Sequence, residues 1–201
     1  MRRRAVFLDR DGVLNEMVYY PEHGIVDSPF TARQLTLVHG VAEPLRRISS
    51  LGYMLFVVSN QPGIAKGHFS REEFERMRRK LASGLAREGV RLDGEYYCLH
   101  HPEAKLKRYR VECDCRKPKP GLITRAAEEN SVSLSDSFVI GDGLVDVLAG
   151  KRAGCSTILL SNTSGLLARM MQEMGAEPDH QARTLSEASK IIEGLAVRAG
   201  R

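Results

Sequence analysis

Apolar positions along this 201-residue chain fall mostly in short unbroken runs, separated by stretches of helical period. YMLFVVSN, residues 53–60, is nearly continuous, the pattern of a strand buried on both faces of a parallel sheet. Ala5–Leu8 ahead of it, and SFVIGD (137–142) and STILL (156–160) behind it, are of the same kind, with Glu95–Leu99 a shorter strand. Between these runs, Ala42–Ser50, Gly121–Asn130 and Leu144–Ala153 carry helical spacing. A further helix begins at Ser70, which stands three residues before Glu73 in capping-box spacing, and runs to about Glu88 with Gly89 as its stop. The C-terminal part reads as helix, with Ser186 capping EASKIIEGL.

Strands alternating with helices in this order predict a doubly wound α/β sandwich: a mainly parallel sheet with helices on both faces, one domain over residues 1–201. Neither an internal repeat nor a large separate cap domain is visible, so access to a site falls to the 16–35 loop and to an irregular stretch near residue 100. In such sheets ligands bind beyond the carboxyl ends of the strands. Three predicted strand ends carry Asp9, Ser59 and Asp142, and Asp11 lies two residues on, toward the same side as Asp9.

A carboxylate at Asp9 can attack an electrophile and form a covalent intermediate. If the electrophile is a phosphoryl group, anion meets anion, and a divalent cation and fixed positive groups must offset the repulsion. Asp9 and Asp142 at neighbouring strand ends suit a hard cation, most simply Mg2+, with the backbone carbonyl of Asp11 in reach of it. The Asp11 side chain is placed to protonate a leaving alcohol and then deprotonate the hydrolytic water. Ser59, Asn60 and Gln61 offer a hydroxyl and backbone N–H groups to phosphate oxygens, and Arg116 and Lys117 add positive charge. One aspartate alone reads as a turn or a helix cap. Three at strand ends, with a serine and a lysine in order between them, describe a site.

Charge and composition narrow the partner. A net charge of +5 favours anions. Aromatic residues make up only 6% and Trp is absent, which leaves little surface for stacking bases. The basic runs Arg76–Lys80 and Lys105–Arg110 read as solvated faces, so a small phosphorylated molecule is expected rather than nucleic acid or a membrane. No apolar run is long enough to span a bilayer and no secretory core is present, which predicts a cytoplasmic protein, expected as a monomer.

In such a setting close cysteines point to metal before disulfide. Cys98-Leu-His100 and Cys113-Asp-Cys115 flank residues 101–112 and together hold the inventory of a closed structural zinc site. Four protein ligands leave no place for water, so that metal pins the loop at about 98–116 and aims Arg116 and Lys117 at the pocket. Cys155 reads as a small core residue. The rival from another class is a zinc-stabilised nucleic-acid-binding module, but no finger helix follows the CxC.

The ordered segments DRDG (9–12), SNQPGIAKG (59–67), RKPKPG (116–121) and GDGLVD (141–146) resemble the haloacid dehalogenase-like (HAD) phosphatases over nearly the whole chain. The resemblance implies Asp9 as nucleophile, Asp11 as general acid/base, and Asp9, Asp11 and Asp142 around Mg2+. It implies Ser59 and Lys117 on phosphate, with Lys119 the alternative lysine and Asp146 a support for its loop. It also sets Arg10, Asn60, Gln61, Pro62 and Arg116 against the substrate. The insertion CLHHPEAKLKRYRVECDCRKPKPG is similar to the zinc-bearing branch of heptose-bisphosphate and histidinol-phosphate phosphatases, with YYCLHHP and CDCRKP closer to the former. That implies removal of one phosphate from a small phosphorylated sugar. Two features depart from the heptose enzymes: a longer segment after Asn15, and Gly143 where a lysine is usual.

Overall fold

The computed structural model describes residues 3–161 and 165–199. In chain order the elements are β1 (Arg4–Leu8), β2 (Val18–Tyr20), β3 (Ile25–Asp27), α1 (Ala42–Ser50), β4 (Tyr53–Asn60), α2 (Gly63–Lys66), α3 (Arg71–Arg87), β5 (Gly94–Cys98), α4 (Gly121–Asn130), β6 (Phe138–Gly141), α5 (Leu144–Ala153), β7 (Ser156–Leu160), α6 (Gly165–Glu173), β8 (His180–Ala182) and α7 (Leu185–Ala199). Six strands form one sheet in the order β5-β4-β1-β6-β7-β8, every neighbouring pair parallel.

The continuous apolar runs are two-sided, as parallel strands must be. Val6 and Leu8 of β1, with Leu55 and Val57 of β4, face a layer built by Leu45 and Ile48 of α1, Met77 and Leu81 of α3 and Ile192 of α7. The alternate residues, Ala5, Phe7, Phe56 and Val58, face Leu122, Ile123 and Ala126 of α4 and Ala149 of α5. Phe7 stacks on Phe56 at 5.6 Å across that second face. Each fully buried Leu, Ile or Phe contributes about 1.5–3 kcal/mol, so the two layers hold the central strand ends rigidly where the polar residues emerge.

Three local details differ from the sequence pattern. Ser70 caps α3 by accepting the Glu73 N–H at 3.2 Å. The Glu73 carboxylate does not return to Ser70 but accepts from Ala32 N at 2.6 Å, tying the 28–36 stretch to α3. The cap of α7 is Thr184, whose Oγ1 accepts from Glu187 N at 3.2 Å, and not Ser186, which lies inside the helix. β5 starts and stops one residue early, at Gly94 and Cys98, and the Cys98 carbonyl accepts from Gln61 N at 2.7 Å, carrying the pairing with β4 one step beyond Asn60.

The segment after Asn15 is more than a loop. β2 and β3 form an antiparallel hairpin through Pro21–Gly24, with Gly24 at φ 63°. Tyr20 anchors it: its hydroxyl donates to Ser28 O and accepts from Phe30 N, both at 3.0 Å, and its ring stacks on Phe30 at 4.4 Å. Phe30 in turn meets the His68 ring at 4.4 Å. The hairpin therefore leans over the carboxyl end of β4.

Candidate active site and thiolate centre

Parallel strands emit their carboxyl ends on one side, and β1, β4 and β6 are adjacent, so Asp9, Ser59 and Asp142 converge. The Asp9 N–H donates to Ile140 O at 2.9 Å, joining the ends of β1 and β6. Oxygens of Asp9, Asp142 and Asp146 lie within 4.8 Å of one another. Burial, and then the charges of Asp9 and Asp11, push the Asp142 carboxyl up to about 6. Such crowding of like charge in a half-dry cleft is what a hard divalent cation relieves. Gly12 makes the approach possible: a Cβ there would stand 2.0 Å from Asp142 Oδ2.

Lys117 runs beneath the cluster rather than into the cavity. Its ammonium is buried and donates to Val58 O at 2.9 Å, to Asp146 and, at 3.0 Å, to Asp9 Oδ1. Burial alone would lower its pKa, but the two carboxylates hold it above the ordinary lysine value. The ion pair with Lys117 therefore fixes the Asp9 carboxylate at the rim of the cleft. Asp146 also accepts from Gly143 N at 3.1 Å, the loop-supporting role its motif suggested. Lys119 is half exposed and pairs with Glu112 and Asp114, away from the site.

Several residues expected against substrate are engaged internally. Asn60 grips the Lys117 backbone with both amide groups, each at 3.0 Å. Gln61 uses its N–H on Cys98 O and its amide on Asp11 Oδ2 at 2.6 Å and Ser59 Oγ at 3.2 Å. Arg10, expected to touch substrate, is 0% exposed and lies against Asp11 instead.

A cavity of about 240 Å³ opens over the acids, with Ser59, Asn60, Pro62 and Arg116 on its wall. The sequence reading missed Asp27 and Ser28 from the end of β3, and Lys66 and His68 around α2, which also line it. The hairpin was legible as VYY and IVD flanking the turn PEHG. That it folds onto this cavity was not. Burial and the nearby Lys66 charge push the His68 imidazole down.

The second centre lies beside β5. Cys98, His100, Cys113 and Cys115 offer four ligand atoms to one point. The Sγ atoms of Cys98 and Cys113 are 3.7 Å apart, those of Cys113 and Cys115 3.2 Å, and His100 Nδ1 lies 3.5 Å from Cys115 and 4.0 Å from Cys98. Tetrahedral zinc sets S···S edges of about 3.8 Å and S···N edges of about 3.5 Å. The donors fit zinc. His101 turns away, its Nδ1 accepting from Glu103 N. Burial and the adjacent sulfurs push the Cys115 thiol up, a cost that a divalent ion removes. Directly after Cys115, Arg116 donates to His100 O at 3.1 Å and reaches the cavity wall.

Known proteins resemble this chain over most of its length. The HAD-hydrolase-like family model matches residues 114–188. A D-glycero-beta-D-manno-heptose-1,7-bisphosphate 7-phosphatase of Pasteurella multocida is 37% identical over 193 residues, 96% of this chain and 98% of that protein. The protein of that name from Photorhabdus laumondii is 42% identical, covering 95% and 96%. Among solved structures, a D,D-heptose 1,7-bisphosphate phosphatase from B. bronchiseptica, complexed with magnesium and phosphate, superposes with a TM-score of 0.76. It is 25% identical over 95% of this chain and 98% of its own. Among the described residues, no helix is long and apolar enough to cross a membrane.

Proposed function

The chain belongs to the HAD-like D-glycero-beta-D-manno-heptose-1,7-bisphosphate 7-phosphatases, and from that premise we propose that it removes the 7-phosphate of this heptose bisphosphate through an aspartyl-phosphate. The observation that carries the reading is the meeting of Asp9 and Asp142 at one rim of the sheet, above a buried Lys117.

Asp9, Asp142 and the Asp11 carbonyl would hold Mg2+. When bound, it neutralises charge on the nucleophile and the phosphoryl oxygens. An Asp9 carboxylate oxygen attacks phosphorus, the bond to the sugar oxygen breaks, and the departing electron pair takes a proton from Asp11. Water then attacks the phosphoaspartate. Asp11 accepts the water's proton, and inorganic phosphate leaves with Asp9 restored. Ser59 Oγ faces the transferred group. Arg116 and Lys66 add positive charge at the wall. Cys98, His100, Cys113 and Cys115 would hold a structural zinc ion, which would keep the following Arg116 in place at the wall.

Phosphate release from heptose bisphosphate, histidinol phosphate and p-nitrophenyl phosphate, each with and without Mg2+, tests this. The heptose bisphosphate is expected to be turned over fastest and only with Mg2+. Equal rates on the aryl ester would remove the substrate assignment, and release without divalent metal would remove the mechanism.

A further inference from the structure

The arginine between the two catalytic acids has no route to substrate. Arg10 is 0% exposed and absent from the cavity wall. Its guanidinium instead forks onto Asp11: Nε and Nη2 donate to Oδ1 at 3.1 and 2.9 Å, and Nη2 also reaches Oδ2 at 3.1 Å. Asn15 Nδ2 adds a third donor to Oδ1 at 2.9 Å. On the other oxygen stands Gln61 at 2.6 Å, which also bonds Ser59 Oγ.

Oδ1 accepts from three donors and Oδ2 from two, Arg10 Nη2 and Gln61 Nε2, so Oδ2 is the less crowded oxygen for proton exchange. A planar fork fixes the plane of a carboxylate as well as its charge, which a point-charge ammonium does not. We infer that Arg10, with Gln61, is a positioning residue that sets the angle at which Asp11 Oδ2 meets the leaving oxygen. The inference rests on the phosphatase reading above, since it assigns Asp11 the proton transfer.

Leaving groups separate this role from plain structural support. A sugar alkoxide needs the proton as its bond to phosphorus breaks, whereas p-nitrophenolate departs without one at neutral pH. The value of kcat/KM reports steps up to formation of the phosphoaspartate, where this difference lies. In Arg10→Lys, kcat/KM for the heptose bisphosphate is expected to fall about 10- to 100-fold, and that for p-nitrophenyl phosphate by less than about 3-fold. An equal fall on both esters would overturn the inference. If Arg10→Lys fails to give a cooperative melt, Gln61→Leu decides by the same ratio. Wild-type protein inactive on both esters would instead remove the phosphatase reading itself.

Discussion

Gly12→Ala addresses the site through a single absent methyl group. Gly12 sits at φ 76°, where a side-chain-bearing residue costs about 1–2 kcal/mol. The added Cβ would also lie 2.0 Å from Asp142 Oδ2 and 2.8 Å from its Cγ, so the carboxylate must swing away. Asp is short and flexible enough to do so without unfolding the chain. The stability loss should therefore stay near the backbone term, a Tm decrease of about 2–8 °C for a domain of this size. The metal site suffers more: displacing one of its two carboxylates should raise the Mg2+ needed for half-maximal activity by about 10- to 100-fold. Thermal melts without metal and Mg2+ titrations of phosphate release measure the two effects separately. Gly12→Asn divides them further, since Asn tolerates the left-handed region but keeps the Cβ. It should regain stability and stay poor in Mg2+. A Gly12→Ala protein with wild-type Mg2+ dependence would refute the claim that Gly12 exists to admit Asp142.

Three other outcomes are expected. Asp9→Asn should lower turnover at least about 10³-fold while circular dichroism still reports a folded chain, and retained activity would exclude Asp9 as the attacking group. Cys113→Ser should drop bound zinc from about one ion per chain toward none, with a lower Tm. Unchanged zinc content would contradict the ligand set. Burial and the neighbouring Asp9 charge push the Asp142 carboxyl up to about 6, above the ordinary carboxylate value. Between those two values the folded chain binds a proton that the unfolded chain lacks, so metal-free stability falls as pH rises toward 6. Mg2+ must displace that proton at low pH. The Tm gain on adding Mg2+ should therefore be larger at pH 7.5 than at pH 5, and equal gains would argue that Asp142 is not a ligand.

By itself the sequence determined the elements and the rim on which chemistry sits. Buried parallel strands announce themselves as unbroken apolar runs, and β4, α1, α4, α5 and β7 have the bounds their patterns predicted. Since parallel strands end on one side, Asp9, Ser59 and Asp142 were legible as neighbours before any coordinates. The paired CxH and CxC were equally legible, because four soft donors at short spacing have few other uses. Tertiary structure alone decided what each polar side chain holds. Arg10 turned inward to Asp11, Gln61 spanned fifty positions to reach the same carboxylate, Asn60 closed on the Lys117 backbone, and the hairpin brought Asp27 and Ser28 over the cavity. Periodicity records which face of an element is dry, a local property. A hydrogen-bond partner is set by which distant residue packs alongside, and a buried donor takes whichever acceptor the fold brings within about 3 Å.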